Sequence, residues 1–536
     1  MGIKKYIKNT NISKRYIQVS IIIFLIIIIG LVGTYAWFTW SSTNNTSVTL
    51  SIGELADVTY TTGPDIKVNN LSPVYNYTDG ESTTFKIRNK DTTGSKLMYT
   101  VSIDITKIDS PLISNDFKYK LVSGTNVISE GDFSTAVEGG SINLTTSTLT
   151  SAKTNFTLYF YIDGNDKNSS SMMNQSFIGK LNVNVTKDDP ALTTLTNLGL
   201  SVDTSHTPDF TTVSGNSGIK KNNSGETLAT GLGDGTNGVY AAEDDLGTSY
   251  YFRGNVDNNY VYFAKNWWQI IRINGDGTIR MIYTSNPNDS SANLYISSSH
   301  FNNNYTDNAY VGYMYGSAGS STYNATHANT NDSTIKTVVD TWYQYSLRSY
   351  SQYIADAIYC NDREVVNVTY GSGTNTTTYN GNGAGTSKTA YASLKRNHID
   401  HNPTLKCTNN NDKFTVSNTL GNGALTNPIG LATTDEIVMS GANAYDLNTS
   451  SYITNDSYYL YPKGGNYYYW TMTPFAYAGG SGSADVDSVN GDGSVSDYSV
   501  DSFAARPVVS LISNAISGGD GTVGNPFYVN EEYSAS

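Results

Sequence analysis

The sequence predicts a mainly β chain whose C-terminal part is α+β. Three observations predict it. Apolar residues recur at every second position from Val48 to Val185. Gly (48) and Tyr (42) are abundant beside many Asn, Ser and Thr, a composition of strands and turns more than helices. Helical stripes are few and confined to the second half of the chain.

The first forty residues set the compartment. Lys4, Lys5, Lys8, Lys14 and Arg15 precede an apolar run from Val19 to Phe38, with no further charge until Glu54. About twenty apolar residues suffice to cross a hydrocarbon core, and positive charge on the N-terminal side sends the C-terminus outward. Residues 1–40 are therefore expected to be a signal peptide or a membrane anchor. As an anchor they stay in the membrane as a transmembrane helix. As a signal peptide they are cut by a signal peptidase between Ala36 and Trp37, because Thr34 and Ala36 supply the small residues that enzyme reads. Either way the rest acts outside the cytoplasm, secreted or held at the cell surface.

Residues 41–189 predict a β-sandwich. Tyr99, Val101, Ile103 and Ile105 alternate with Thr100, Ser102 and Asp104, and Phe117, Tyr119 and Leu121 with Lys118 and Lys120. Leu158, Phe160 and Ile162 alternate with Tyr159 and Tyr161, and Leu181, Val183 and Val185 with Asn182 and Asn184. Each strand has one wet and one dry face. Residues 190–238 are poor in large apolar side chains and rich in Gly, Asn and Ser, so they read as a linker.

Residues 239–512 predict a second domain. Trp267 to Ile273 is apolar on both faces and reads as a central strand, turning at Asn274-Gly275-Asp276-Gly277 into Thr278–Ile282. Ile335, Val338, Val339 and Trp342 form a one-face helical stripe capped by Asp332 or Ser333. A shorter helix starts near Thr434 and stops at Gly441. Strands return from Tyr467 to Leu511, and residues 513–536 form a tail.

Two resemblances add to this reading. Gly33-Thr34-Tyr35-Ala36-Trp37-Phe38, followed by the strand Val48–Ile52, resembles the processing junction of camelysin/TasA-type secreted proteins. The second covers roughly Val239 to Leu511. It rests on Ala242–Gly254, Trp268–Ile273, Cys360-Asn361-Asp362-Arg363, Pro403–Cys407, Tyr469-Trp470-Thr471-Met472-Thr473-Pro474 and Ala505-Arg506-Pro507-Val508. This set resembles an uncharacterised surface domain of Gram-positive-type bacteria, similar in turn to the C-type-lectin-like fold shared with formylglycine-generating enzymes. The resemblance implies a lectin-like head with a variable surface. The enzymes of that fold use redox-active cysteines near the C-terminus, and this sequence has none after Cys407, so no catalysis is implied.

The sequence carries few signatures of chemistry. Cys360 and Cys407 read first as a disulfide outside the cell; in an anaerobic habitat both stay thiols. A net charge of −13 argues against nucleic-acid partners. His398 and His401 flank Asp400 without thiolate help, which reads as a solvated loop rather than a metal site. Asp163-x-Asn165-x-Lys167 places Lys where calcium needs oxygen, so it reads as an Asx turn. Asp485, Asp487, Asp492 and Asp497 leave calcium open as a cofactor; no other is expected. The expected binding surface mixes tyrosines with short polar residues: Tyr467, Tyr469, Tyr477, Asp485, Asp487, Asn490 and Tyr498. The expected function is a non-enzymatic adhesin or matrix protein whose head binds a glycan, mucin or protein. The alternatives are a filament subunit assembling through its sandwich, or an extracellular enzyme.

Overall fold

The computed structural model describes residues 48–530, apart from 53–54, 62, 70, 91–96, 150–152, 166–168, 290–292, 373, 464–466 and 500. The leader, with the Ala36–Trp37 junction, lies outside the described residues. Among the described residues no helix is long and apolar enough to cross a membrane. The chain is mainly β and divides into two compact units, at Asp188/Asp189.

Among the described residues the first unit has eleven strands: β1 (Val48–Ile52), β2 (Ala56–Tyr60), β3 (Asp65–Asn69), β4 (Pro73–Val74), β5 (Glu81–Asn89), β6 (Leu97–Ile108), β7 (Phe117–Ser123), β8 (Asn126–Asp132), β9 (Ser141–Leu149), β10 (Lys153–Asp163) and β11 (Ser176–Lys187). One sheet runs β1-β2-β5-β10-β7-β8, with β4 beside β10, and the other runs β3-β11-β6-β9. The period of two explains their shared core. Tyr99, Val101, Ile103, Phe117, Leu121, Leu158, Phe160, Ile162 and Leu181 all join one buried cluster. Phe133 stacks on Phe117 at 4.5 Å and meets Phe177 at 5.0 Å. The alternate positions carry ion pairs instead, Lys118 with Asp163 at 2.7 Å and Lys120 with Glu130 at 2.6 Å. Asp163 Oδ1 accepts from Asn165 N and Nδ2, the Asx turn that the spacing predicts.

The second unit begins earlier than the sequence suggests. Asp189 caps a helix at Pro190–Asn197 by accepting from Leu192 N, with Pro at the first helical position. Its Ala191 and Leu195 are fully buried in the core of the second unit. Farther on, β12 (Ile219–Asn222) pairs with β13 (Thr227–Thr230) and with the strand Ser451–Thr454. The expected linker is thus part of the fold. Its polarity misled because scattered apolar side chains, Ala191, Leu195, Leu198, Leu200, Val202 and Phe210, hold it to the core together with backbone pairing, and neither needs a hydrophobic run.

The main sheet contains β14 (Gly238–Glu243), β15 (Thr248–Arg253), β16 (Tyr260–Phe263), β17 (Asn266–Ile273) and β18 (Ile279–Thr284). β17 pairs with β15, β16 and β18, so it is central, as its two apolar faces require. The strand Val508–Leu511 extends the sheet beyond β18, and Phe527–Val529 lies parallel to β16. A second sheet is built on Tyr469–Tyr477, buried at all nine positions, and the hairpin Ala484–Val489/Val495–Tyr498. Ser333 caps the helix Thr334–Ser346. Thr433 and Glu436 form a reciprocal capping box for Thr434–Ser440, which ends at Gly441 with φ 129°.

Candidate ligand-binding groove

The expected binding loop is split by burial. Tyr469 and Tyr477 are interior residues: the Tyr469 hydroxyl donates to Leu460 O and the Tyr477 hydroxyl to Thr306 O. Asp487 is fully buried and accepts from Thr434 Oγ1 at 2.7 Å, with His398 Nε2 at 3.1 Å. These three cannot face a ligand, which corrects the sequence reading. Asn490 Nδ2 donates to Ser494 Oγ inside its own hairpin turn. Asp485 accepts from Ser483 and stands near Asp497, and burial, then that neighbour, pushes its carboxyl up to about 7. Tyr467 is 39% exposed and meets Tyr295, while Tyr498 packs edge-on against Tyr468 and Phe503. Asp492 accepts from Ser494, closing the turn. Among the described residues no group of three or more His, Cys, Asp or Glu is placed to hold a metal ion.

Two sizeable recesses lie elsewhere, at one end of the main sheet. Register puts Tyr260 opposite Gln269 and Trp267 opposite Thr284. Trp267 and Gln269 are two apart on β17 and so share a face. Beside them, a cavity of about 360 Å³ has Tyr260, Gln269, Tyr459 and Arg506 on its floor. Asn286, Asp289, Tyr461 and Lys463 stand at its rim. A second cavity of about 350 Å³ shares Thr284, Ser285 and Asn286 with the first, and adds Trp267, Tyr283, Tyr295 and Trp342. Between them the two recesses are lined by seven aromatic rings, with Tyr260 and Trp267 on one face of the sheet and Tyr283 and Trp342 on the other. Tyr283 and Trp342 meet edge to face at 5.7 Å, each also against the buried Trp268. The rings are thereby held before any ligand arrives.

Polar groups in the groove are set by the same packing. Arg506 Nε donates to Tyr283 O at 3.1 Å and Nη1 to Leu460 O at 3.2 Å, with the guanidinium 4.8 Å from the Tyr469 ring centre. The Tyr459 hydroxyl is buried without a hydrogen-bond partner, which costs stability. Burial raises the Tyr459 hydroxyl well above its usual range, so it is a neutral donor. Sequence reasoning missed this site because its residues come from five separated segments, and Ala505-Arg506-Pro507-Val508 enters the sequence reading only as part of a resemblance.

A smaller cavity of about 40 Å³ lies beside the Cys360–Cys407 disulfide and is lined by Asp244, Arg272, Asp362, Arg396, Asp435 and Glu436. Arg396 binds both oxygens of Asp435, and Arg272 bridges Asp244 and Glu436. Burial, opposed by Arg396, lifts Asp362 to about 6. This space holds a few waters and no larger ligand.

No family model and no curated protein matches the chain. Among solved structures, the chain is similar to a PA14 sugar-binding domain from an RTX adhesin, at 12% identity over 28% of this chain and 86% of that chain, with a TM-score of 0.12. At that score the likeness carries no argument.

Proposed function

We propose that this chain is a non-enzymatic surface or matrix protein, secreted or membrane-held outside a Gram-positive-type cell, whose second unit binds a glycan through the aromatic groove. The observation that carries this reading is the groove itself: two adjoining recesses of about 360 and 350 Å³ walled by aromatic rings. That volume suits a small ligand or a few saccharide units. A sugar ring offers apolar C–H faces to such rings and hydroxyls to groups like Gln269 and Asn286. The lining holds Lys265, Asp289, Lys463 and Arg506 but no histidine, which supports binding over acid–base catalysis. The disulfide supports an oxidising compartment. The two-sheet unit suits a sandwich stalk, and the second unit a C-type-lectin-like head.

A glycan array probed with the full chain tests this. Replacing Tyr461 and Tyr295 together by Ala is expected to lower glycan binding at least about tenfold without lowering the melting temperature, since both are only partly buried. Undiminished binding by the double variant would place the ligand elsewhere.

A further inference from the structure

The buried cations of the second unit follow a rule that one of them breaks. Arg253 pairs with Asp234 at 2.7 Å, Arg272 with Asp244 at 2.8 Å and Arg280 with Glu436 at 2.5 Å. Lys336 pairs with Asp340 at 2.6 Å and Arg363 with Asp412 at 2.6 Å. Arg506 is equally buried, 2% exposed, yet among the described residues no carboxylate lies within ion-pair reach of it. It meets two carbonyl oxygens and the ring and hydroxyl of Tyr469, and Nη2 makes neither carbonyl bond. A buried guanidinium without a counter-charge is costly, and proteins seldom keep one unless something else supplies the anion. Here the unpaired charge forms part of the floor of a cavity large enough for a ligand, and Lys463 adds a second cation at its exposed rim.

We infer that the cavity over Arg506 receives the anionic group, a carboxylate or a sulfate, of an acidic saccharide. This deepens the glycan reading and rests on it. Arg506 supplies the charge at the floor, where water screens least, and its planar fork matches both oxyanions. Tyr260 and Tyr461 flank the sugar ring. Asp289, the one carboxylate of this lining, stands at the exposed rim, where solvent weakens its repulsion.

The test is an array of matched neutral, uronic or sialic, and sulfated glycans, probed with the full chain at about 50 and about 300 mM NaCl. Anionic members should bind roughly tenfold or more better than their neutral counterparts, with the margin shrinking at high salt. Lys463→Glu, at an exposed position, should cut anionic binding about tenfold, well beyond any change in neutral binding. Arg506→Gln should abolish the preference; if that variant does not fold, Lys463→Glu and the salt dependence decide. The carboxylate and sulfate arms show which oxyanion is preferred. Equal binding of neutral glycans would overturn the inference while leaving the glycan reading intact. If no glycan binds, that reading falls, and melting of the wild-type chain in millimolar acetate or sulfate, against chloride at equal ionic strength, decides the anion site alone. A saturable rise lost in Lys463→Glu upholds it, and no rise overturns it.

Discussion

His398 Nε2 lies 3.1 Å from Asp487 Oδ1, both side chains sealed inside the second unit, while His398 Nδ1 lies 3.0 Å from Tyr445 O. Both partners are acceptors, so both ring nitrogens carry protons and the ring is an imidazolium. Burial disfavours that charge, but Asp487 outweighs it and raises the histidine pKa. This pair ties the helix Ala392–His398 to the hairpin strand Ala484–Val489. Replacing His398 by Leu strands a buried carboxylate and is expected to cost about 3–5 kcal/mol in urea unfolding. The double variant His398→Leu/Asp487→Leu should recover much of that loss. Equal stability of the single variant and the wild type would show that the pair is not charged.

Next to this pair, Asp485 titrates near neutrality because burial, then Asp497, opposes its charge. A carboxyl whose folded pKa is raised contributes stability below its unfolded pKa, ordinarily 3.8, and loses it as pH rises through about 7. Asp497 is raised by burial and by Asp487, against His398, and acts in the same direction. His398 does so too, since its raised pKa also loses its contribution with rising pH. Thermal stability should therefore fall between about pH 5 and about pH 8. Asp485→Asn should flatten that slope and melt higher than the wild type at the alkaline end. Parallel profiles for the two proteins would contradict the assignment.

The strands of the first unit were legible because each shows water one face: Thr100, Ser102 and Asp104 alternate with Tyr99, Val101 and Ile103, so period alone reports burial. The main helices were legible for a similarly local reason, in that Ser333, Thr433, Glu436 and Gly441 carry their caps in sequence. The binding surface was not. Tyr469–Tyr477 is buried on both faces, so tyrosines that look like contact residues are core, and no periodicity marks the difference. The groove is invisible for the opposite reason. Tyr260, Tyr283, Tyr459 and Arg506 converge only through strand pairing across more than two hundred residues.

Burial makes the tyrosines separable by experiment. Tyr467 is 39% exposed, so Tyr467→Ser should change unfolding free energy by less than about 0.5 kcal/mol. Tyr469 is 1% exposed and lies under Arg506, so Tyr469→Ala should cost about 3–5 kcal/mol through the cavity it leaves. Tyr469→Phe should be milder, losing only the hydroxyl bond to Leu460 O. Chemical denaturation of the three variants checks the order. Comparable losses for Tyr467→Ser and Tyr469→Ala would mean that the Tyr467 surface is packed in solution.

The Cys360–Cys407 bond joins residues 47 apart in sequence. Closing a loop of that length removes unfolded-state entropy worth about 4 kcal/mol on the chain-entropy account. It also fixes the segment Thr404–Cys407 against the smaller charged cavity, where Thr404 N donates to Asp435 Oδ1 and Cys407 N to Asp245 Oδ2. Those bonds already hold the segment in the folded state, so the cross-link acts mainly on the unfolded one. Cys360→Ser/Cys407→Ser should therefore melt lower than the oxidised wild type, by an amount matching wild type treated with reductant. Its glycan binding below the melting point should be unchanged, because neither cysteine lines the aromatic groove. A binding loss in the folded double variant would show that the disulfide shapes the groove.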